Sequence, residues 1–127
     1  MASRDLRDLN IKLINVWLHA SNHYKEIYPN LPQPFITCTY RSPEEQLELY
    51  AQGRTKAGKI VTQLKSGSKH NKRPAEAFDI AFKTRQGKLD WSADLFKKFA
   101  DIVKSIDNQV RWGGDWQTFK DRPHFQM

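Results

Sequence analysis

The sequence predicts an α+β fold, a single small domain in which a short, mainly antiparallel sheet is flanked by about three helices. The length of 127 residues is typical of one domain. Helical and strand patterns alternate along the chain without a repeat, a linker or a shift in composition. Hydrophobic residues make up 39% and aromatic residues 12% of the chain, which supports a packed core and excludes a disordered protein.

In the first part of the chain, a helix is predicted over about residues 5–27, because apolar residues recur there every three or four positions. A strand is predicted at residues 35–40, after prolines that exclude regular helix: Pro29, Pro32 and Pro34. A second helix, ending near residue 52, is expected to begin with a capping box and an N-terminal proline, formed by Ser42, Glu45 and Pro43.

In the second part, residues 54–72 are basic and show neither the helical nor the strand spacing of apolar residues, so they predict a long surface loop. A strand at residues 77–82 and a turn at residues 86–87 follow. The spacing then predicts a helix over about residues 92–106, with a buried face formed by Leu95, Phe96, Phe99, Ile102, Val103 and Ile106. Two short strands are expected at residues 110–112 and 124–126.

Charge and composition limit the possible partners and compartments. The net charge of +7 and the pI near 9.6 favour polyanions, which include nucleic acid, an anionic membrane surface and an anionic cell wall. Cys38 is the single cysteine, which excludes an internal disulfide and a multi-cysteine zinc site. Because no apolar run reaches the roughly 18 residues of a membrane span and the first residues lack the apolar core of a secretory signal, we expect synthesis in the cytoplasm and no integral membrane contact.

Three features resemble functional motifs but favour structural interpretations. Residues 53–59 resemble a phosphate-binding loop, but Ile60 stands where that motif needs serine or threonine. His19 and His23 have metal-compatible helical spacing, yet the glutamate expected after the first histidine is absent, which favours an exposed pair. Cys38 is expected to be a small buried strand residue, because no activating partner is visible in the sequence.

Four residues carry a stronger chemical pattern. Asp79 interrupts an apolar strand, where a carboxylate is costly unless it faces outward, is paired or binds a metal. His70 ends the basic loop, and His124 begins a short apolar strand. Two histidines and one carboxylate form a standard catalytic zinc set that leaves one position for water, and Asp121 is close enough in sequence to His124 to act on that water. Spacing alone leaves open whether the four side chains converge.

The motifs in which these residues occur share a family pattern. Ser-x-His at residues 68–70 is followed by Ala-x-Asp at residues 77–79. Trp-Gly-Gly-Asp-Trp at residues 112–116 precedes an acid-x-x-His motif at residues 121–124, and Tyr-Arg-Ser-Pro-Glu-Glu-Gln occupies residues 40–46. Over about residues 35–127 the chain therefore resembles the D-alanyl-D-alanine carboxypeptidase and L-alanyl-D-glutamate endopeptidase family of zinc peptidases, which includes van-type and phage endolysin-type enzymes.

Two departures from the family pattern are visible. Nine residues rather than the usual seven separate the histidine of Ser-x-His from the aspartate, and Arg-Pro at residues 73–74 occupies the region of the usual glycine. Cys-Thr also precedes Tyr-Arg where the family often has Ser-Gly.

The resemblance implies a hedgehog and D-Ala-D-Ala peptidase type of fold and one zinc ion per chain, with His70, Asp79 and His124 as its ligands. It further implies that Asp121 is the catalytic acid and base, and that Arg41 contacts substrate and stabilises the oxyanion. Ser68 is implied to lie near the substrate. Aromatic residues are expected either to wall the site, with Trp116 in contact with substrate, or to belong to the core: Trp112, Trp116 and Phe119.

The sequence thus predicts a single zinc peptidase domain over residues 1–127 that cleaves the peptide stems of peptidoglycan. The L-Ala–D-Glu bond is favoured, with D-Ala-D-Ala carboxypeptidase activity as the alternative. A phage or prophage endolysin is expected, a monomer that waits in the host cytoplasm and reaches the wall through a membrane pore. A basic nucleic-acid-binding module is disfavoured because no predicted helix is basic along one face. A metal nuclease using residues 70–71 would need a phosphate cradle.

Overall fold

The structure, a computed structural model, describes residues 2–127 and forms one five-stranded sheet with helices packed on one face. The helices are α1 (Ile11–Ile27), α2 (Pro43–Ala51) and α3 (Ala93–Ile106). The strands are β1 (Gln33–Cys38), β2 (Ala77–Lys83), β3 (Leu89–Asp90), β4 (Arg111–Trp112) and β5 (His124–Gln126). Short 3₁₀ turns occur at Leu6–Asp8, Lys69–Asn71 and Gly113–Asp115.

The sheet is antiparallel at each of its pairings within the described residues. Its order is β1-β2-β5-β4, and β3 pairs with the end of β2. β2 is therefore the central strand, and it pairs with β1 on one side and β5 on the other. The predicted fold class, a small α+β domain with a mainly antiparallel sheet and three helices, is confirmed.

The core lies between the sheet and helices α1 and α3. Along β2 alternate side chains point to opposite faces, so Phe78, Ile80 and Phe82 are fully buried on the helical side. The Phe82 ring packs against Tyr24 of α1 and edge-on against Phe96 of α3, at centroid distances of 5.7 and 4.9 Å. The same alternation directs Asp79 to the other face, which α1 and α3 leave open and where Leu49 of α2 lines the same cleft as Asp79.

The predicted start of the first helix at residue 5 is wrong, because α1 begins at Ile11. Asn10 caps α1 by accepting a hydrogen bond from the Lys12 amide, and the preceding residues form a separate 3₁₀ turn. Leu9 is extended and forms a β-bridge with Ala75, and it is buried in the same core as α1. The apolar spacing matched one continuous helix because both segments place their leucines on one core.

Other boundaries differ less from the predictions. β1 starts earlier than expected and includes Pro34, which an edge strand tolerates. The predicted capping box of α2 is present between Ser42 and Glu45. The expectation that Ile106 is buried is wrong, since the residue is 40% exposed at the end of α3. Among the described helices, none has the length and apolarity to cross a bilayer.

Candidate active site

Three side chains of the site come from one row across the sheet. Asp79 of β2 is paired with Cys38 of β1 on one side and with His124 of β5 on the other. A register shift between Ile36 and Cys38 places Cys38 opposite Asp79, as an extra residue in one strand does in a β-bulge. His70 reaches the same row from the 3₁₀ turn at Lys69–Asn71, where it is buried.

Two histidines and one carboxylate converge on one point. His70 Nε2 lies 3.1 Å from Asp79 Oδ1, His124 Nδ1 lies 3.0 Å from the same oxygen, and the two ring nitrogens are 3.2 Å apart. Neutral imidazole and carboxylate are metal-ligating groups, so this triangle of atoms is a candidate metal centre. The structure thus brings together the three residues that the sequence suggested as ligands, although the Arg73–Pro74 region is two residues longer than in the family pattern.

The outer nitrogen of each histidine has a hydrogen-bond acceptor. His70 Nδ1 donates to the Thr39 carbonyl at 2.7 Å, and His124 Nε2 donates to Gln126 Oε1 at 2.8 Å. A proton on the outer nitrogen leaves the lone pair of the inner nitrogen directed at Asp79. These partners fix the tautomer and ring orientation that a metal ligand needs.

The charges of the site favour a cation beside Asp79. Burial alone would raise the pKa of the Asp79 carboxyl, but the adjacent His70 and His124 rings outweigh burial and hold the pKa well below its usual range. Burial also disfavours protonated His70, yet the Asp79 carboxylate outweighs it and raises the pKa of His70 to about 10. A bound metal ion would provide this positive charge in place of the histidine protons.

Arg41 lies beside Asp79, the carboxylate of the candidate metal centre. Its Nη2 is 3.7 Å from Asp79 Oδ2 and donates to Cys38 Sγ at 3.6 Å, while Nη1 donates to Gln46 Oε1 at 2.9 Å. The backbone is also fixed, since the Arg41 amide donates to the His70 carbonyl at 2.9 Å. The guanidinium therefore places a fixed positive charge at the edge of the candidate metal centre.

Asp121 lines the cleft in front of the three ligands. Burial raises the pKa of its carboxyl to about 6, and the nearby Asp79 carboxylate contributes to the increase. A backbone hydrogen bond across the loop between residues 113 and 121 positions Asp121: its amide donates to the Gly113 carbonyl at 2.9 Å. Gly113 is required for this approach, since a Cβ atom there would lie 2.2 Å from the Asp121 carbonyl oxygen.

The remaining predicted site residues separate into two groups. Trp116 and Phe119 line the cleft, and the Trp116 ring lies 5.4 Å from the ring of His124. Trp112 is instead a core residue whose indole donates to the Arg122 carbonyl. Ser68 lies at the cleft, but its hydroxyl caps the Lys69–Asn71 turn by accepting from the His70 amide at 3.2 Å.

Cys38 is the residue whose surroundings sequence reasoning missed. It is buried, as expected, and the structure shows partners that the sequence did not reveal, because its sulfur lies 3.6 Å from both His70 Nδ1 and Arg41 Nη2. The thiol and atoms of His70 and Asp79 lie within 4.8 Å of one another. Since the thiol contacts Nδ1 while Nε2 faces Asp79 and His124, His124 completes the candidate metal centre better than Cys38 does.

Two supporting residues were also missed. Gln126 is two positions from His124 in β5, so their side chains share one face of the strand, and this alternation could have suggested the contact. The role of Thr39 rests on its backbone carbonyl, which no residue type reveals. Outside the site, His19 and His23 are exposed on α1, as the sequence predicted.

A cleft with two imidazoles and a carboxylate that could hold a metal ion, beside a half-buried acid, is typical of metal-dependent hydrolases. A model of the peptidase M15 group, described as D-alanyl-D-alanine carboxypeptidase, matches residues 62–127. Because this match spans more than half of the chain, the chain belongs to the M15 peptidase family.

Individual relatives agree with this family. The chain is 39% identical over 102 residues to the peptidoglycan L-alanyl-D-glutamate endopeptidase CwlK of Bacillus subtilis, a match that covers 72% of this chain and 59% of that protein. The chain thus matches less than two thirds of the length of this curated relative. The fold resembles that of the L-Ala D-Glu endopeptidase ChiX of Serratia marcescens, with a TM-score of 0.72, 25% identity, and coverage of 100% of this chain and 88% of ChiX.

Proposed function

We propose that this chain is a zinc-dependent peptidoglycan endopeptidase that cleaves the bond between L-alanine and D-glutamate in the stem peptide. The convergence of His70, Asp79 and His124 on one point of the cleft carries this proposal. Membership of the M15 peptidase family supports the reaction class over a nucleic-acid-binding module or a nuclease. The printed activities of CwlK and ChiX support the choice of bond.

The donor atoms fit a zinc ion. Zinc bonds of about 2.0–2.1 Å to nitrogen and oxygen place the ligands of a tetrahedral site about 3.3 Å apart. The three observed separations of 3.0, 3.1 and 3.2 Å are close to that value, and the histidines already have the required tautomers. A zinc ion held here would supply an activated water and polarise the scissile carbonyl.

Two residues of the chain would then perform the proton transfer and charge stabilisation. Asp121, with a pKa of about 6, is mostly ionised at neutral pH and can accept the proton of the attacking water. The same carboxyl group then donates that proton to the leaving amine. Arg41 is held beside Asp79, from which its guanidinium can stabilise the negative charge that develops on the carbonyl oxygen.

The cleft supports a peptide rather than a small free substrate. Its volume is about 660 Å³, and its walls include the apolar side chains of Val61, Leu64, Trp91, Trp116 and Phe119. Val61, Leu64 and Trp91 are 44%, 49% and 55% exposed, so the cleft has unfilled apolar surface in addition to its polar centre. A stem peptide with flanking residues would cover this surface, whereas a terminal D-alanine would cover only part of it.

Mass spectrometry of digested peptidoglycan tests the choice of bond. We expect stem peptides with a new N-terminal D-glutamate, and no such peptides with Asp121→Asn protein prepared in the same way. Stems that lose only a terminal D-alanine would overturn the proposal in favour of D,D-carboxypeptidase activity, which the description of the matching family model names.

We also propose that the enzyme acts as a monomeric endolysin, made in the host cytoplasm and released to the wall through a membrane pore. The candidate site takes all its residues from one chain, and the net charge of +7 favours an anionic wall. Expression with and without a pore-forming protein tests the route. We expect lysis only with the pore, and lysis of intact cells without it would contradict the proposal.

A further inference from the structure

Helix α2 buries a polar side chain. Gln46 is its one buried residue within the described chain and has no exposed surface. Burial of an amide is costly unless its hydrogen bonds are replaced, so both ends of this side chain need partners. Gln46 does not line the cleft, and the chemistry proposed above does not use it.

The two ends of the Gln46 amide bind two different parts of the site. Its Oε1 accepts from Arg41 Nη1 at 2.9 Å, and its Nε2 donates to the Leu64 carbonyl at 2.7 Å. Nε2 also lies 3.4 Å from Thr62 Oγ1. This orientation of the amide is required, because a guanidinium can only donate and a backbone carbonyl can only accept.

The hydrogen bond with Gln46 is the main contact that positions the Arg41 guanidinium. The contact with Gln46 is shorter than those of Arg41 Nη2 with Cys38 at 3.6 Å and with Asp79 at 3.7 Å. Arg41 Nε is buried and has no hydrogen-bond partner within residues 2–127. The position of the guanidinium is therefore set largely by Gln46.

The other partner of Gln46 is a segment without regular structure, residues 54–67, here called the cleft loop. Backbone amides of residues 54–56 donate to the Ala51 carbonyl at the start of the loop. Three side chains reach carbonyls further along: Gln52 donates to Lys59, Arg54, itself in the loop, to Thr62, and Gln46 to Leu64. The bond from Gln46 is the shortest of these and the one made by a fully buried side chain. Because Val61 and Leu64 line the cleft, the loop forms one wall of the proposed peptide groove.

We propose that Gln46 is a positioning residue that holds both the cleft loop and Arg41, one through each end of its amide. The amide does this because one planar group bonds to both partners. The inference deepens the proposed endopeptidase function and depends on it for its kinetic part. It assigns to one buried side chain the placement of both the peptide-binding wall and the arginine.

Two substitutions separate the two ends of the amide. In Gln46→Glu the carboxylate still accepts from Arg41, which keeps it ionised, but it cannot donate to the Leu64 carbonyl. Gln46→Met has a similar length and removes both bonds. Gln86→Glu is the matched control, because Gln86 is exposed in the turn after β2 and contacts neither the cleft loop nor Arg41.

Hydrogen exchange measured by mass spectrometry reports how firmly the cleft loop is held, and it needs no substrate. We expect exchange over residues 59–66 to become about fivefold faster in both Gln46 variants, as the loss of one hydrogen bond predicts, and to stay unchanged in Gln86→Glu. Exchange through Ala77–Lys83 serves as an internal reference for the whole fold. Unchanged loop exchange, or an equal rise in the reference strand, would overturn the proposal.

Kinetics on a stem peptide test the hydrogen bond between Gln46 and Arg41. We expect Gln46→Glu to raise KM about fivefold with kcat within about twofold of wild type, because only the wall is released. We expect Gln46→Met also to lower kcat, by about tenfold relative to Gln46→Glu, because the contact with Arg41 is lost as well. Equal losses of kcat in the two variants would overturn the assignment of Arg41 to one end of the amide and the cleft loop to the other. A wild-type protein inactive on stem peptides would refute the proposed function alone, since the exchange measurement still decides whether Gln46 holds the loop.

Discussion

The candidate metal centre and the cleft loop differ in how they are held. The ligands of the metal centre come from paired strands and a capped turn, and each histidine has a fixed acceptor. The cleft loop has no regular structure. Backbone hydrogen bonds to Ala51 hold its first residues, and side-chain hydrogen bonds from Gln46, Gln52 and Arg54 reach its later carbonyls. Its apolar residues Val61 and Leu64 remain about half exposed, while His70 and His124 are buried.

This difference separates the chemical step from substrate recognition. The candidate ligands lie on the sheet and on the capped turn beside it, where backbone hydrogen bonds fix groups that must stay within a few tenths of an ångström. The wall that meets the peptide rests on few contacts, so it can open at low energetic cost. Changes at the metal centre should therefore abolish activity, and changes in the loop should mainly alter substrate binding.

The largest effect is expected from removing a ligand. His70→Ala and Asp79→Ala should each weaken zinc binding by several kcal/mol and eliminate turnover, because one of three protein ligands is lost. Metal analysis of the purified proteins measures the loss. His23→Ala is the control, since this histidine is exposed on α1 and should leave the metal content unchanged. Full zinc occupancy of either ligand variant at low free zinc would reject the assignment.

Asp121→Asn should keep zinc and the fold but lose about 10²–10⁴ in turnover, because the amide cannot accept a proton. Kinetics on zinc-loaded protein measure the loss. Asp115→Asn is a matched control, because Asp115 is an exposed aspartate of the preceding 3₁₀ turn that pairs with Lys104 at the surface. Near-wild-type turnover in Asp121→Asn would remove this residue from the mechanism.

Gly113→Ala should reduce kcat by about tenfold to a hundredfold, because small displacements of a catalytic group are costly. The added Cβ would overlap the Asp121 carbonyl oxygen, so the loop that carries the acid must shift. Zinc content should stay normal. Gly87→Asn is the control, as nothing lies within 4 Å of its Cβ position and asparagine tolerates its φ of 81°. Unchanged kcat in Gly113→Ala would show that the loop adapts without moving Asp121.

The smallest effect on activity is expected from a substitution in the cleft loop. Leu64→Ala should raise KM about fivefold with little change in kcat, because it removes apolar contact that substrate and transition state share. Steady-state kinetics on a stem peptide separate the two parameters. Leu47→Ala removes a comparably exposed leucine from α2, outside the cleft, and should change neither. A loss confined to kcat in Leu64→Ala would contradict the separation between wall and metal centre.

Local patterns predicted much of the fold. The capping box defined the start of α2, and the apolar spacing located α3, because both signals lie within a few neighbouring residues. Two features were not predictable in this way. The shift between Ile36 and Cys38 arises from the pairing of β1 with β2, and the two-residue strand β3 is too short to show a period.

The residues of the candidate site also differ in whether local sequence could predict them. The residues suggested as ligands could be recognised because the motifs that contain them match a family pattern, although their spacing alone left open whether they converge. The acceptor for His70 is a backbone carbonyl, which any residue at position 39 would provide. The hydrogen bonds from Gln46 to Arg41 and the cleft loop require the packing of distant segments, which local sequence does not specify.

The support behind His70 begins near the first described residues. Ser3 pairs with Thr39 and Tyr40 through two backbone hydrogen bonds of 2.7 and 2.8 Å, and the Thr39 hydroxyl donates to the Asp5 carbonyl. Thr39 in turn provides the carbonyl that orients His70. The match to the family model starts much later, at residue 62, so a fragment cut at that point would carry His70, Asp79 and His124 without the segment that orients His70. The smallest fragment that keeps this support therefore has to include Ser3.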